Sequence, residues 1–189
     1  FSFLSGLLPA VYLFVLLRTA WLCDDAYISF RTIDNFVQGY GLVWNAGERV
    51  QTYTHPLWLL LLSISYLLTR EIYLTALVVS MLISGAAVAL LGFKIARTPA
   101  AAVLAMGALI MSKAFVDYST SGLENPLTHL LLALFFLPYF SPWPAARKVF
   151  PCALAAGFAM VNRADTILLV APPLLAGVPR SRPSPPAPA

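Results

Sequence analysis

Charge is scarce in this 189-residue sequence: Asp, Glu, Lys and Arg make up 11% of it, where a soluble domain carries about 25%. The shortage excludes an ordinary soluble globule, because 60% of the residues are hydrophobic and no core of this size would hide them all. Cysteine is scarcer still. Cys23 and Cys152 make no disulfide framework and match no zinc-ligand spacing. Acids number eight against twelve Lys and Arg, for a net charge of +4, yet the cations are scattered or sit in pairs beside apolar runs. Without a contiguous basic stripe, nucleic acid is excluded as a partner. An initiating methionine and a basic leader are also missing, and the chain is apolar from Phe1. Residues 1–22 run longer than the apolar core of a signal peptide, and the sequence stays apolar beyond them. They therefore read as a first membrane helix. At the other end, 179–189 form a Pro-rich tail with nothing to pack. Both ends lead us to expect a piece of a larger protein.

What is present is a series of apolar runs, at 1–22, 55–69, 72–93, 99–116, 126–144, 149–161 and 166–178. Crossing a bilayer takes roughly 20 helical residues. Positive charge close to a span end marks the cytoplasmic side, and the clear clusters are Lys94/Arg97, Arg147/Lys148 and Arg180/Arg182. Two apolar runs separate each cluster from the next, so all three can share one side. Run 55–69 covers only about 22 Å as a helix and carries Trp58 and Tyr66, residue types that favour the membrane boundary. If it lies in the interface, the chain start is cytoplasmic and the parity closes. The expected fold is all-α, a bundle of about six spans over 1–178, with a long first extracytoplasmic loop, 23–71, containing interfacial helices. Cys23 and Cys152 then lie near opposite faces. Asp24, Asp25, Asp34, Glu48, Glu71, Asp117, Glu124 and Asp165 all fall outside, a partly independent check because the rule made no use of them. Arg163 and Asp165 form the tip of the last hairpin or sit in a helix broken at Pro172-Pro173.

The first outer loop offers the most polar chemistry. Asp24 can cap a helix running to about Gln38, with Gly39 and Gly41 as stop signals. Ala26, Phe30, Ile33 and Val37 make one apolar stripe along it, while Ser29, Thr32, Asn35 and Gln38 stay polar. Such a helix should lie on the membrane surface, with Asp24 and Asp25 at the depth of lipid phosphates. The two carboxylates read either as a helix cap favoured by the helix dipole or as a general base or metal ligand facing a substrate. Their spacing does not choose.

The wider text adds to this. Asp24-Asp-Ala-Tyr-Ile-Ser-Phe-Arg31 is followed by Asn35-Phe-Val-Gln-Gly-Tyr-Gly-Leu-Val-Trp-Asn-Ala-Gly-Glu-Arg-Val50, Tyr53-Thr-His-Pro-Leu-Trp58, Thr120-Ser-Gly-Leu-Glu-Asn-Pro126 and Asn162-Arg-Ala-Asp165. In order and spacing this series resembles the amino-terminal portion of the glycosyltransferase C superfamily (GT-C). These multi-span enzymes use polyprenyl-phosphate sugars and include bacterial arabinofuranosyltransferases, lipid A aminoarabinose transferases and protein O-mannosyltransferases. The resemblance implies a catalytic carboxylate at Asp24 or Asp25 and a second acidic position at Glu124. It implies an enzyme of the bacterial inner membrane, facing the extracytoplasmic side and surrounded by membrane lipid. Such an enzyme moves a sugar with inversion from a polyprenyl-phosphate-linked donor to a glycan, lipid or protein acceptor. Where the family usually has Arg-Pro-Asp, this chain has Ala164, and the family's further spans are not in the sequence.

Other candidates carry a functional and a structural reading side by side. Arg31, Arg49 and Arg163 could clamp a phosphate, or pair locally, Arg31 with Asp34 and Arg163 with Asp165. Glu124 is either a helix cap ahead of Pro126 or an acid of the site. His55 is a donor contact or an interface anchor. Tyr27, Tyr53, Trp44 and Trp58 could stack on sugar or isoprenoid, or simply anchor. The residues allow a divalent metal without requiring one. A transporter and a non-catalytic membrane scaffold are the competing classes; charge at span ends rather than the midplane counts against a transporter.

Overall fold

The computed structural model describes residues 2–48 and 50–177, and among them the regular structure is all helical, with no strand. Helices α1 (Ser2–Thr19) and α2 (Asp24–Val37) come first. They are followed by α3 (Pro56–Thr69) and by α4 (Ile72–Leu90), which a π-turn at Leu91–Ile95 continues. Then come α5 (Pro99–Met111), α6 (Lys113–Tyr118), α7 (Asn125–Phe140), α8 (Ala145–Asn162), a 3₁₀ turn at Ala164–Thr166, and α9 (Ile167–Leu175). Local chemistry sets the starts. Pro56, Pro99 and Pro126 occupy the first turns of α3, α5 and α7, where a missing amide proton costs nothing. Glu71 caps α4 by accepting from the amides of Tyr73 and Leu74 at 3.0 and 2.6 Å.

Two expectations change. The run 99–116 is not one helix: Ser112 ends α5 and caps α6, its Oγ accepting from the Phe115 amide at 3.3 Å. Asp24 is not the cap of α2. The cap position is Cys23, without a side-chain bond, and Asp24 already lies in the first turn.

The axes of α1 and α2 differ by 88°, and α3 runs alongside α2. Ser29 Oγ meets His55 Nε2 at 3.0 Å near one end of this pair, and Tyr66 donates its hydroxyl to Asp34 at 2.8 Å near the other. The predicted stripe of α2 points inward, with Ala26, Phe30 and Ile33 buried against Trp58, Leu59 and Leu62 of α3. Ser29 and Thr32, polar positions off that stripe, are buried too. Around this pair, α7 packs on α4 and α8, and α1 on α5.

The bundle has two chemically distinct ends. At one, Arg97 donates to the carbonyl of Phe140 and Lys148 to that of Tyr139, both at 3.3 Å, so two of the basic clusters meet at the end of α7. At the other, the loop before α7 joins the start of α2 and the end of α8: Cys23 N donates to Ser121 O at 3.0 Å and Asn162 Nδ2 to Glu124 O at 3.1 Å. Among the described residues one helix, Ile72–Ile95, is long and apolar enough by itself to cross a membrane; α3, α5, α7 and Ala164–Leu175 are shorter apolar helices. The Arg180/Arg182 cluster and the tail 179–189 lie outside the described residues.

Candidate functional site

At the second end, a cavity of about 460 Å³ opens between α2, the stretch leading into α3, and the loop before α7; Asp25, Ser29, Thr52, Tyr53, His55 and Glu124 line it. Its shape depends on a tight loop. Gly122 sits at φ +84°, and a Cβ there would stand 2.7 Å from Ala26 Cβ and 2.9 Å from Leu22 Cδ2. Only glycine meets both conditions without strain. Trp58 Nε1 donates to the Gly122 carbonyl at 2.9 Å, fastening α3 to the same loop. Trp58 is fully buried, which corrects its expected place at the membrane boundary or against a ligand.

The clasp turns Glu124 inward. Glu124 holds the cap position of α7, but its carboxylate makes no bond to that helix's amides. Oε2 lies 3.4 Å from His55 Nδ1, and Oε1 lies 3.3 Å from Arg163 Nη1. Arg163 in turn holds Asp165 with two bonds, Nε to Oδ1 at 3.0 Å and Nη2 to Oδ2 at 2.6 Å, and donates to Asn125 Oδ1 at 3.2 Å. A continuous polar chain therefore runs from Ser29 through His55, Glu124 and Arg163 to Asp165. Burial pushes the His55 imidazole below its ordinary pKa; nearby Glu124 opposes the shift and Arg163 adds to it. The bond to Asp165 raises the Arg163 guanidinium, and Arg163 lowers the Asp165 carboxyl.

Of the two first-loop acids, Asp25 lines the cavity and Asp24 does not. Asp24 Oδ1 accepts from the Asp25 amide at 3.1 Å. Arg31 lies away from the cavity wall. Its Nε donates to the Trp44 carbonyl at 3.0 Å, its Nη2 to Asn45 Oδ1 at 2.5 Å, and the guanidinium covers the Trp44 ring at 4.5 Å. This corrects the expected pairing of Arg31 with Asp34: Arg31 fastens the loop, and Asp34 bonds Tyr66 and Gln38 instead. Arg49 lies outside the described residues.

No family model and no solved structure matches the chain. Curated relatives do. A terminal beta-(1->2)-arabinofuranosyltransferase of Mycobacterium tuberculosis is 34% identical over 125 residues, covering 60% of this chain and 20% of that protein. The protein of the same name from Corynebacterium glutamicum is 33% identical over 144 residues, covering 72% of this chain and 21% of its own length. The chain spans about a fifth of the relatives it matches.

Sequence reasoning passed over three residues. Ser29 reads as one of the polar residues of α2, and its position one helical turn after Asp25 puts both on one face. Asn162 stood in a quoted motif without a role; it is fully buried and bonds the Glu124 carbonyl and Thr128 Oγ1, the latter at 2.9 Å. Thr52 carried no signal. As for a metal, no three His, Cys, Asp or Glu side chains converge among the described residues, and His55 with Glu124 is the pair that such an ion would meet.

Proposed function

We propose that this chain carries the amino-terminal portion of a GT-C membrane glycosyltransferase, which moves a sugar, by the relatives' names an arabinofuranose, from a polyprenyl-phosphate donor to an extracytoplasmic acceptor. The observation that carries the reading is the cavity itself. Asp25, His55 and Glu124 come from three separate motifs of the resemblance and line one space, and Arg163 from a fourth backs Glu124.

In this reading about six helices cross the bilayer, while α2 and α3 lie in the outer interface. The right-angle bend between α1 and α2 and the side-by-side pairing of α2 with α3 support that placement. Outward apolar residues on α4 support a lipid surround: Leu74, Val78 and Leu82 recur every fourth residue and are 61, 52 and 67% exposed, a stripe that water would not favour.

The chemistry needs little from the protein beyond position and one base. An acceptor hydroxyl approaches the anomeric carbon, its oxygen forms the new bond, the bond to the phosphate oxygen breaks, and polyprenyl phosphate leaves with its charge. The acceptor's proton passes to Asp25, whose side chain bonds none of the described residues and which serves as general base. Displacement from the opposite face inverts the centre. Arg163, partly exposed and held by Asp165 and by the cavity's Glu124, supplies a cation for the phosphate.

The test is alanine substitution in the full-length protein with a labelled polyprenyl-phosphate pentose. Asp25→Ala should lower transfer about 10²–10⁴-fold, and Asp24→Ala should leave it within about threefold, as expected of a surface acid contributing only to the helix dipole. Full activity in both variants would remove the assignment.

A further inference from the structure

Ser29 sits one turn beyond Asp25 on α2 and lines the same cavity. A helical hydroxyl commonly turns back onto the carbonyl four residues earlier, as Thr32 does onto Ile28 at 3.1 Å. Ser29 instead meets His55 Nε2 at 3.0 Å. The direction of that bond follows from the far side of the ring. The Glu124 carboxylate, paired with Arg163, can only accept, and it lies 3.4 Å from Nδ1. A neutral imidazole therefore keeps its single proton on Nδ1 and offers a lone pair at Nε2. Burial holds the ring in the neutral form. The hydroxyl proton of Ser29 is thus committed to His55, and the oxygen's lone pairs receive no donor from the described residues. Thr52 Oγ1, in the same lining, is buried with no partner among the described residues.

We propose that Ser29, its proton fixed by the His55–Glu124–Arg163 chain, is the hydrogen-bond acceptor by which this cavity selects one hydroxyl of its sugar, with Thr52 as the second polar contact. The assignment rests on reading the cavity as a sugar site. It names a specificity residue that leaves the proton transfer to Asp25. A buried acceptor left bare by an analogue that lacks the hydroxyl is costly, which is why such sites discriminate sharply against deoxy ligands.

The experiment measures binding of methyl arabinofuranoside and its monodeoxy analogues to the full-length protein in nanodiscs, by ligand-observed NMR. On the unaltered protein, one deoxy analogue should bind roughly tenfold more weakly than the parent. In Ser29→Ala, that difference should vanish while the other analogues keep their order. Ser29→Cys, a weaker acceptor of similar shape, should fall between, and helix content and melting temperature should match the unaltered protein for both variants. The assignment is overturned if Ser29→Ala weakens every ligand equally, if no deoxy analogue is disfavoured, or if the parent glycoside does not bind. Transfer is assayed separately. A protein that binds and discriminates but transfers nothing overturns the transferase reading alone, whereas a transferring enzyme whose Ser29→Ala variant still discriminates overturns the Ser29 assignment alone.

Discussion

His55 concentrates the electrostatics of the site in one ring, and its shift has a pH consequence. Burial lowers its pKa below the ordinary imidazole value of about 6.5. Between the folded and unfolded values the unfolded chain binds more protons, so stability rises with pH there. The contribution is therefore complete above about 6.5 and is lost as pH falls through the lower folded value. Thermal unfolding in detergent from pH 7.5 to 5 should show a declining melting temperature, and His55→Gln should flatten that decline relative to the unaltered protein. Equal slopes for the two would mean that the ring does not titrate with folding. The partners of His55 were individually visible in the sequence, since His, Glu and Arg announce themselves as chemistry. Their assembly was not. Ser29 and His55 are 26 positions apart and Asn162 and the Glu124 carbonyl are 38 apart, and no periodicity reports which distant polar groups meet. Small hydroxyl and amide side chains are the hardest case, because the same residue types serve turns, caps and solvated faces equally well.

Among elements, α2 was the most legible. Its apolar stripe and its stop before Gly39 follow from local pattern, and the helix ends at Val37 with Gln38 as its cap; its cap residue, Cys23 in place of Asp24, and the packing of the stripe on α3 do not. Less legible was the loop 119–124, where apolar periodicity gives no signal and a single glycine holds the geometry. That loop has a sharp test. At Gly122 an added methyl meets both a left-handed backbone and a 2.7 Å contact, so Gly122→Ala should destabilise by about 1–3 kcal/mol and loosen Glu124 from His55. Gly107, mid-way along α5, has nothing within 4 Å of the same added atom. There alanine should be neutral or stabilising by up to about 1 kcal/mol. Denaturant unfolding followed by circular dichroism separates the two, and matching midpoints for the pair would refute the steric account of the loop.

For the molecule as a whole, the membrane reading depends on which compartment each end of the bundle faces. The charge pattern alone grouped Lys94/Arg97 with Arg147/Lys148, and the carbonyl contacts of Arg97 and Lys148 bring those clusters to one end of α7, while Asp25, Glu124 and Asp165 gather around the other. A bundle so divided should sit across a bilayer with its basic end in the cytoplasm. Both native thiols, Cys23 and Cys152, are buried, so new surface cysteines can be read against a low background. Asp24→Cys and Arg147→Cys both replace exposed residues at opposite ends. In intact cells an impermeant maleimide should modify position 24 directly and position 147 only after the membrane is opened. Reaction of both from one compartment would mean that the chain does not span as proposed, and the cavity beside Asp25 could not then meet a lipid-linked donor from outside.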